Sequence, residues 1–370
     1  MKKYYIGFNA NNAICNEKFF DGSITLYPTK EKGNIYFSNT YIANINDRMD
    51  EYKNFVIDNV RRLQKENKGN IEFLLFNKKA KKLCEDISDI NFISNNDESL
   101  IDLLNDKFKV RNLVKPYVPI LDYHWINGVD FSYDNLKKEI NCKDFVVQAS
   151  EGAGGNTTFF IDENNSNEIQ IYKDSIYCFS EYKKHIPLNT TLIIGEYDVI
   201  ILPTSIQLIK VTDNKFKYVG GDFIASQTIK KDVLTKINSY NKKIGNIVKK
   251  IGYRGILGID YILCENDAVY FMEINPRFQS SSFLISQYLE KEFDISIAEL
   301  HYSAIKHQRI KKFKFDKIDK CFLNCNRDQE FKEVVESDLV YNGYFQDNPT
   351  SFYRKIYNNS IYDQEWFEKL

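Results

Sequence analysis

The chain has 370 residues, 43% of them hydrophobic and 27% charged, and carries a formal net charge of −1. Such a near-neutral balance excludes a basic surface spread over the whole molecule, so no nucleic-acid partner is expected. The length is ample for a sizeable core divided between two or three lobes, and 15% aromatic residues exclude a disordered chain.

Met1-Lys2-Lys3 leads into no uninterrupted apolar segment, and no later run reaches the ~18 apolar residues of a membrane helix. The expected compartment is therefore the cytoplasm, without a membrane partner. Ile35 to Phe37 and Ile71 to Phe76 read as strands. Asp50 to Lys65 places Tyr52, Phe55, Val56, Val60 and Leu63 on one helical stripe that stops at Gly69. There is no Gly-x-Gly-x-x-Gly, so no dinucleotide site is expected in this α/β stretch. Asn95-Asn96-Asp97 resembles a cap before a single predicted helix, Glu98 to Val114, which contains Asp106, Lys107 and Arg111.

Asp144 to Ser150 reads as a strand, followed by the glycine-rich Glu151-Gly152-Ala153-Gly154-Gly155-Asn156 and a second strand, Phe159 to Ile161. Glycines let backbone approach a ligand closely, and successive N–H groups can form an anion nest. A Walker A loop is excluded because Gly-Lys-Ser/Thr is missing. Ile176 to Tyr182 is a strand running into a turn, and Thr191 to Gly195 and Asp198 to Leu202 are two further short strands. Gly220-Gly221-Asp222-Phe223 invites comparison with a cyclic-dinucleotide cyclase hairpin but lacks one acidic residue, so it reads as a loop. Thr228 to Gly252 is an amphipathic helix.

Leu257 to Cys264 and Val269 to Ile274 are β-prone runs around the turn-forming Glu265-Asn266-Asp267-Ala268, which predicts a hairpin. If the loop has two or four residues, Cys264 pairs with Val269 and Asp260 lies directly opposite Glu273, at about 5 Å between Cβ atoms. Asn275 shares the face of Glu273, with Gly258 opposite leaving room. Two opposed carboxylates repel unless a hard cation lies between them, and Mg²⁺ prefers oxygen ligands and phosphate. Arg277 follows with a fork suited to phosphate or carboxylate. Phe283 to Leu289 and Ile295 to Ile305 read as helices. His301 and His307, six apart, suit no single helical face. Residues 311–370 comprise a Lys-rich link, a strand-like Cys321 to Leu323 and an aromatic tail, with no function assigned. The seven cysteines form no close-set framework and read as reduced and mostly buried. The near pair Cys321 and Cys325 lacks the partners of a zinc site.

Asp260, twelve intervening residues and Glu273-Ile274-Asn275-Pro276-Arg277 resemble the magnesium-binding end of ATP-grasp ligases. The Tyr253-Arg254-Gly255 lead-in resembles the biotin carboxylase and carbamoyl-phosphate synthetase branch, and the upstream pieces stand in the family's order. The resemblance implies an α/β (α+β) ATP-grasp fold: a Rossmann-like N-terminal lobe at 1–103, a lid subdomain at 104–182, a C-terminal ATP-grasp lobe at 183–310 and an extension at 311–370. It implies ATP and one or two Mg²⁺ as cofactors, with the metal on Asp260, Glu273 and Asn275. ATP phosphates fall to Lys107 and to Gln148, Ser150, Gly152, Gly154 and Gly155 of the lid loop. The adenine falls to Glu181 and Tyr182, with Asn189 and Gln207 facing the site. Arg277, Lys107 and Asn275 are the catalytic candidates, and the Gly220 loop lies at the substrate side. One departure stands out: the family usually has lysine at Gln148, and glutamine carries no charge. Another cation compensates, or nucleotide affinity is reduced, or the enzyme is altered.

The implied activity is an ATP-dependent carboxylate–amine ligase that forms an amide or peptide bond through an acyl phosphate and releases ADP and phosphate. Its expected partners are small-molecule or peptide acids and amines of natural-product type, free or borne on a carrier protein or precursor peptide. A homodimer is compatible with the sequence. The alternatives are a carboxyphosphate-type carboxylase and a non-catalytic or altered ATP-binding module.

Overall fold

A computed structural model describes residues 1–8, 18–28, 33–38, 42, 44–90, 92–94, 96–150, 157–166, 169, 171–212, 215–311, 313–315, 317–326, 339–341 and 352–362. The chain begins with β1 (Lys2–Gly7), β2 (Gly22–Thr25), β3 (Asn34–Tyr36), α1 (Met49–Glu66), β4 (Ile71–Leu75), α2 (Lys78–Leu83) and β5 (Phe92–Ser94). The five strands form one parallel sheet in the order β3-β2-β1-β4-β5. A parallel sheet is covered on both faces, so its strands read as continuous apolar runs. β4 is buried at every position. Phe73 meets Tyr52, Val56 and Val60 of α1, while Leu74 and Phe76 join a second core with helices from the far end of the chain.

The predicted single helix at 98–114 is two helices: α3 (Glu98–Asn105) and α4 (Lys107–Val114). Asp106 breaks them, with ψ at 110°, and its carboxylate accepts from the backbone N–H groups of Phe108 and Lys109. An Asp that finds two unpaired donors within reach caps a helix more readily than it continues one.

The second sheet starts with β6 (His124–Asn127), α5 (Tyr133–Glu139), β7 (Phe145–Ala149), β8 (Thr158–Ile161) and β9 (Ile176–Glu181). These strands have their own core of Ile126, Leu136, Phe145, Val147, Phe159 and Phe179. Then come β10 (His185–Ile194), β11 (Val199–Thr212) and β12 (Lys215–Asp222), so the two short predicted strands are parts of long ones. The long helix α6 (Lys231–Lys250) packs Ile237, Ile244 and Val248 into the core beneath β10 and β11. It delivers the chain to the hairpin β13 (Gly255–Cys264) and β14 (Val269–Asn275), followed by α7 (Ser282–Phe293) and α8 (Ile297–Ile305). Among the described residues the sheet path β14-β13-β10-β11-β12-β8-β7-β9-β6 joins the two parts through a single β8–β12 pairing, Phe159 with Lys215.

β15 (Cys321–Asn326), β16 (Leu339–Tyr341) and β17 (Phe352–Tyr357) extend the same sheet from β12. Gly220 to Asp222 is therefore paired strand, not loop: β15 runs beside it, and a Cβ at Gly220 would come within 2.1 Å of the Phe322 carbonyl. Asp222 is fully buried and anchors the tail, accepting from Ala225 on one oxygen and from Ser360, Ile361 and Tyr362 on the other. Among the described residues no helix is long and apolar enough to cross a membrane.

Candidate active site

β13 sends Leu257, Ile259 and Tyr261 into the core, which leaves Gly258 and Asp260 on the opposite face. On β14 the core residues are Val269, Phe271 and Ile274, spaced first by two and then by three. A strand holds that spacing only with an extra residue. The extra residue is Met272: Tyr261 pairs with Phe271, the register shifts, and Asp260 pairs with Glu273. The predicted pairing of Cys264 with Val269 is therefore off by one, because Leu263 pairs with Val269 around a three-residue turn whose Asn266 and Asp267 have positive φ. The bulge then restores the offset, and both Asp260 opposite Glu273 and Gly258 opposite Asn275 are present.

The amide of Asn275 stands between the two acids, with Nδ2 donating to Asp260 Oδ2 at 3.0 Å and to Glu273 Oε1 at 3.1 Å. Its Oδ1 accepts from Arg277 at 3.0 Å, so the amide orientation follows from a donor-only guanidinium on one side and acceptor-only carboxylates on the other. For Asn275 to offer oxygen to a cation, this amide must turn over. Asn189 Nδ2 donates to Asp260 Oδ1 at 2.5 Å and to Gln279 Oε1 at 3.2 Å. Gln279 lies over Gly258, where a Cβ would come within 1.7 Å of it.

The charges are arranged unequally. Desolvation, then the facing Glu273 carboxylate, pushes Asp260 up to about 8, against hydrogen bonds from Asn189 and Gln207. Glu273 is held below the usual range although burial raises it, because Lys107 and the Asn275 amide favour its charged form. Lys107 Nζ is 3.4 Å from Glu273 Oε2. An all-oxygen donor pair that repels itself, bridged by an amide nitrogen, fits a hard divalent cation that completes its shell with phosphate oxygens. Among the described residues no cluster of three His, Cys, Asp or Glu side chains forms a metal site.

These residues lie on one cleft of about 460 Å³ that also takes in Lys107, Gln148, Glu181, Tyr182 and Gln207. Val146, Ile262 and Met272 give it apolar walls beside the β9–β10 turn. There Glu181 pairs with Lys183 at 2.5 Å, and Tyr182 packs against Phe160 and Phe216. Ser150 accepts through its carbonyl from the Lys107 backbone at 3.4 Å. Gly152, Gly154 and Gly155 lie outside the described residues. Arg277 is exposed at the cleft rim. His301 is buried in α8 and His307 pairs with Glu196, so the two histidines are apart in role as well as in spacing.

The sequence alone gives no role to Arg111 or Gln279. Arg111 follows Lys107 by one helical turn, a spacing that places both on one face of α4. Gln279 had no such signal, because its position depends on the void above Gly258.

A cleft with paired acids at its floor, between the β6–β9 strands and the long β10–β14 strands, is the arrangement of the ATP-grasp fold. Residues 104–281 match the family model of the ATP-grasp domain. A curated relative is "[Butirosin acyl-carrier protein]--L-glutamate ligase" of Niallia circulans, 27% identical over 45% of this chain and 40% of its own length. Another, "Tyramine--L-glutamate ligase" of Methanocaldococcus fervens, is 25% identical over 64% of this chain and 73% of its own. The matches thus span under half of the first relative and nearly three quarters of the second. Among solved structures, biotin carboxylase of Campylobacter jejuni aligns with a TM-score of 0.64 and 13% identity over 97% of this chain and 88% of that one, a likeness of fold. The chain thus carries, at residues 104–281, a segment that matches the ATP-grasp domain, within a fold like that of biotin carboxylase.

Proposed function

We propose that this chain is an ADP-forming ligase that joins a carboxylic acid to an amine through an acyl phosphate. The observation that carries it is the in-register pair Asp260 and Glu273 with Lys107 beside them on the floor of one cleft. Both curated relatives are L-glutamate ligases by name, which makes L-glutamate the first donor acid to test.

A carboxylate oxygen of the donor attacks the γ-phosphorus of ATP and ADP leaves. The amine nitrogen then attacks the acyl carbon, phosphate leaves, and the nitrogen gives up a proton. The protein performs little covalent work in such a step; it positions and neutralises. Lys107 meets phosphate charge at the cleft floor, and Arg277 at the rim offers its fork to the migrating phosphoryl group or the donor carboxylate. Val146, Ile262 and Met272 would offer the base an apolar wall, and backbone groups of 181–184 would read its edge. Magnesium held by Asp260, Glu273 and Asn275 would screen the phosphates as the charge moves.

The test is formation of ADP and phosphate on incubation with ATP, Mg²⁺ and candidate acids, L-glutamate first, against aryl-ethyl amines, amino acids and a carrier protein. Hydroxylamine in place of the amine should yield the acyl hydroxamate. AMP as the nucleotide product, or turnover without any hydroxamate, overturns the acyl-phosphate route.

A further inference from the structure

Arg111 is a buried cation whose hydrogen bonds all go to neutral groups. It is 4% exposed, and it donates from Nε to the Met272 carbonyl at 3.1 Å, from Nη1 to Cys178 Sγ at 2.7 Å and from Nη2 to Gln148 Oε1 at 2.8 Å. Burial holds the Cys178 thiol above its ordinary range despite the guanidinium, so that partner stays neutral. Among the described residues Arg111 forms no ion pair within 4.0 Å. Its charge reaches Glu273 only at longer range, where it favours the ionised carboxylate, and a desolvated guanidinium with no anion in direct contact is costly unless one arrives nearby.

A guanidinium only donates, so the Gln148 atom 2.8 Å from it has to be oxygen. The amide nitrogen is thereby turned the other way, where one hydrogen goes to Thr158 Oγ1 at 3.3 Å and the other has no partner among the described residues. Gln148 lines the cleft together with Lys107 and Glu273. We infer that Arg111 and Gln148 act as one unit in which the guanidinium fixes and polarises the amide, and the amide N–H presents that charge to a nucleotide phosphate. The unit takes the place of the lysine that the family resemblance implies at position 148. The same guanidinium holds the bulge carbonyl of Met272, so phosphate recognition and the placement of Glu273 are tied to one side chain.

This inference rests on the nucleotide reading of the cleft, and its test separates the two. Calorimetric titration of the full chain with MgADP is compared with adenosine, which lacks phosphate, for the wild type, Arg111→Met, Gln148→Met and the double variant Arg111→Met/Gln148→Lys. Each single variant should lose about tenfold or more in MgADP affinity while adenosine affinity stays within about twofold. The double variant should recover most of the MgADP affinity, which a purely structural role at the bulge would not allow. Equal losses for MgADP and adenosine, or a double variant no better than Arg111→Met, overturn it. Gln148→Met, whose fold does not depend on the buried cation, overturns it alone if MgADP binds unchanged. A wild type that binds no MgADP sinks the nucleotide reading itself, and this one with it.

Discussion

Lys107 Nζ stands 3.4 Å from Glu273 Oε2 with 5% of the lysine side chain exposed. The contact ties the start of α4 to the cleft face of β14, two elements that the chain brings together across more than a hundred and sixty residues. It also decides which acid of the pair keeps its charge.

Removing the lysine leaves Glu273, 26% exposed in its side chain, with only the Asn275 amide and the more distant Arg111 to favour its charge, a loss of about 1–3 kcal/mol. Lys107→Met should therefore lower the urea midpoint sharply. Adding Glu273→Gln to it should restore part of the loss, giving a coupling of at least about 1 kcal/mol in the double-mutant cycle. Additive effects of the two substitutions would show that the pair is not an energetic unit.

Asp260→Asn and Glu273→Gln keep the shape of the cleft floor and remove charge. Each should cut Mg²⁺-dependent turnover at least about 100-fold, since even groups behind metal ligands commonly cost 10–100-fold. Nucleotide affinity in these variants should respond little to added Mg²⁺, whereas that of the wild type should rise with it. Titrating MgCl₂ at fixed ADP measures the difference; an unchanged Mg²⁺ response in both variants would remove the acids from the metal site.

Asp222 offers a test of the C-terminal extension. Its four donors include two backbone N–H groups of the tail, at 3.0 Å each, and the Ser360 hydroxyl at 2.7 Å. Asp222→Ala leaves these donors without their acceptor and should destabilise the fold by about 2–3 kcal/mol. Hydrogen exchange should accelerate at 360–362 more than in β13. Uniform acceleration would mean that the tail is not held by this residue.

Much of the acidic site was legible because side chains alternate along strands: once Asp260 is set opposite Glu273, the neighbours at 258 and 275 follow. The bulge was written in the spacing of Val269, Phe271 and Ile274 but was masked by an assumed even loop. Asn266 and Asp267, by adopting left-handed backbone, made the loop odd. The helix break at Asp106 was missed because Glu98 to Val114 keeps one apolar stripe across it, and a stripe reports the face and not the continuity of the backbone. The strand character of Gly220 to Asp222 was not readable locally. Glycines there are demanded by β15, whose partnership is formed from a hundred residues away.

The buried His301 gives the fold a defined response to acid. It is fully enclosed, its Nδ1 accepts from the backbone N–H of Ile256 at 2.9 Å, and its ring lies edge-on to Phe76 and Phe278. The approach is close enough that Gly255, at φ +111°, has no room for a Cβ, which would fall 2.4 Å from Nδ1. Burial drops its pKa from 6.5 to about 3. The unfolded chain therefore binds a proton near pH 6.5 that the folded chain refuses until about pH 3. Between these values the unfolded state holds more protons, so stability rises with pH and falls on acidification, by up to about 1.4 kcal/mol per unit. His301→Gln retains an acceptor but cannot titrate. It should cost stability at pH 7 through poorer packing, yet its urea midpoint should fall less steeply than that of the wild type between pH 6.5 and 4. Parallel curves for the two proteins across that range would show that acid acts on the fold elsewhere.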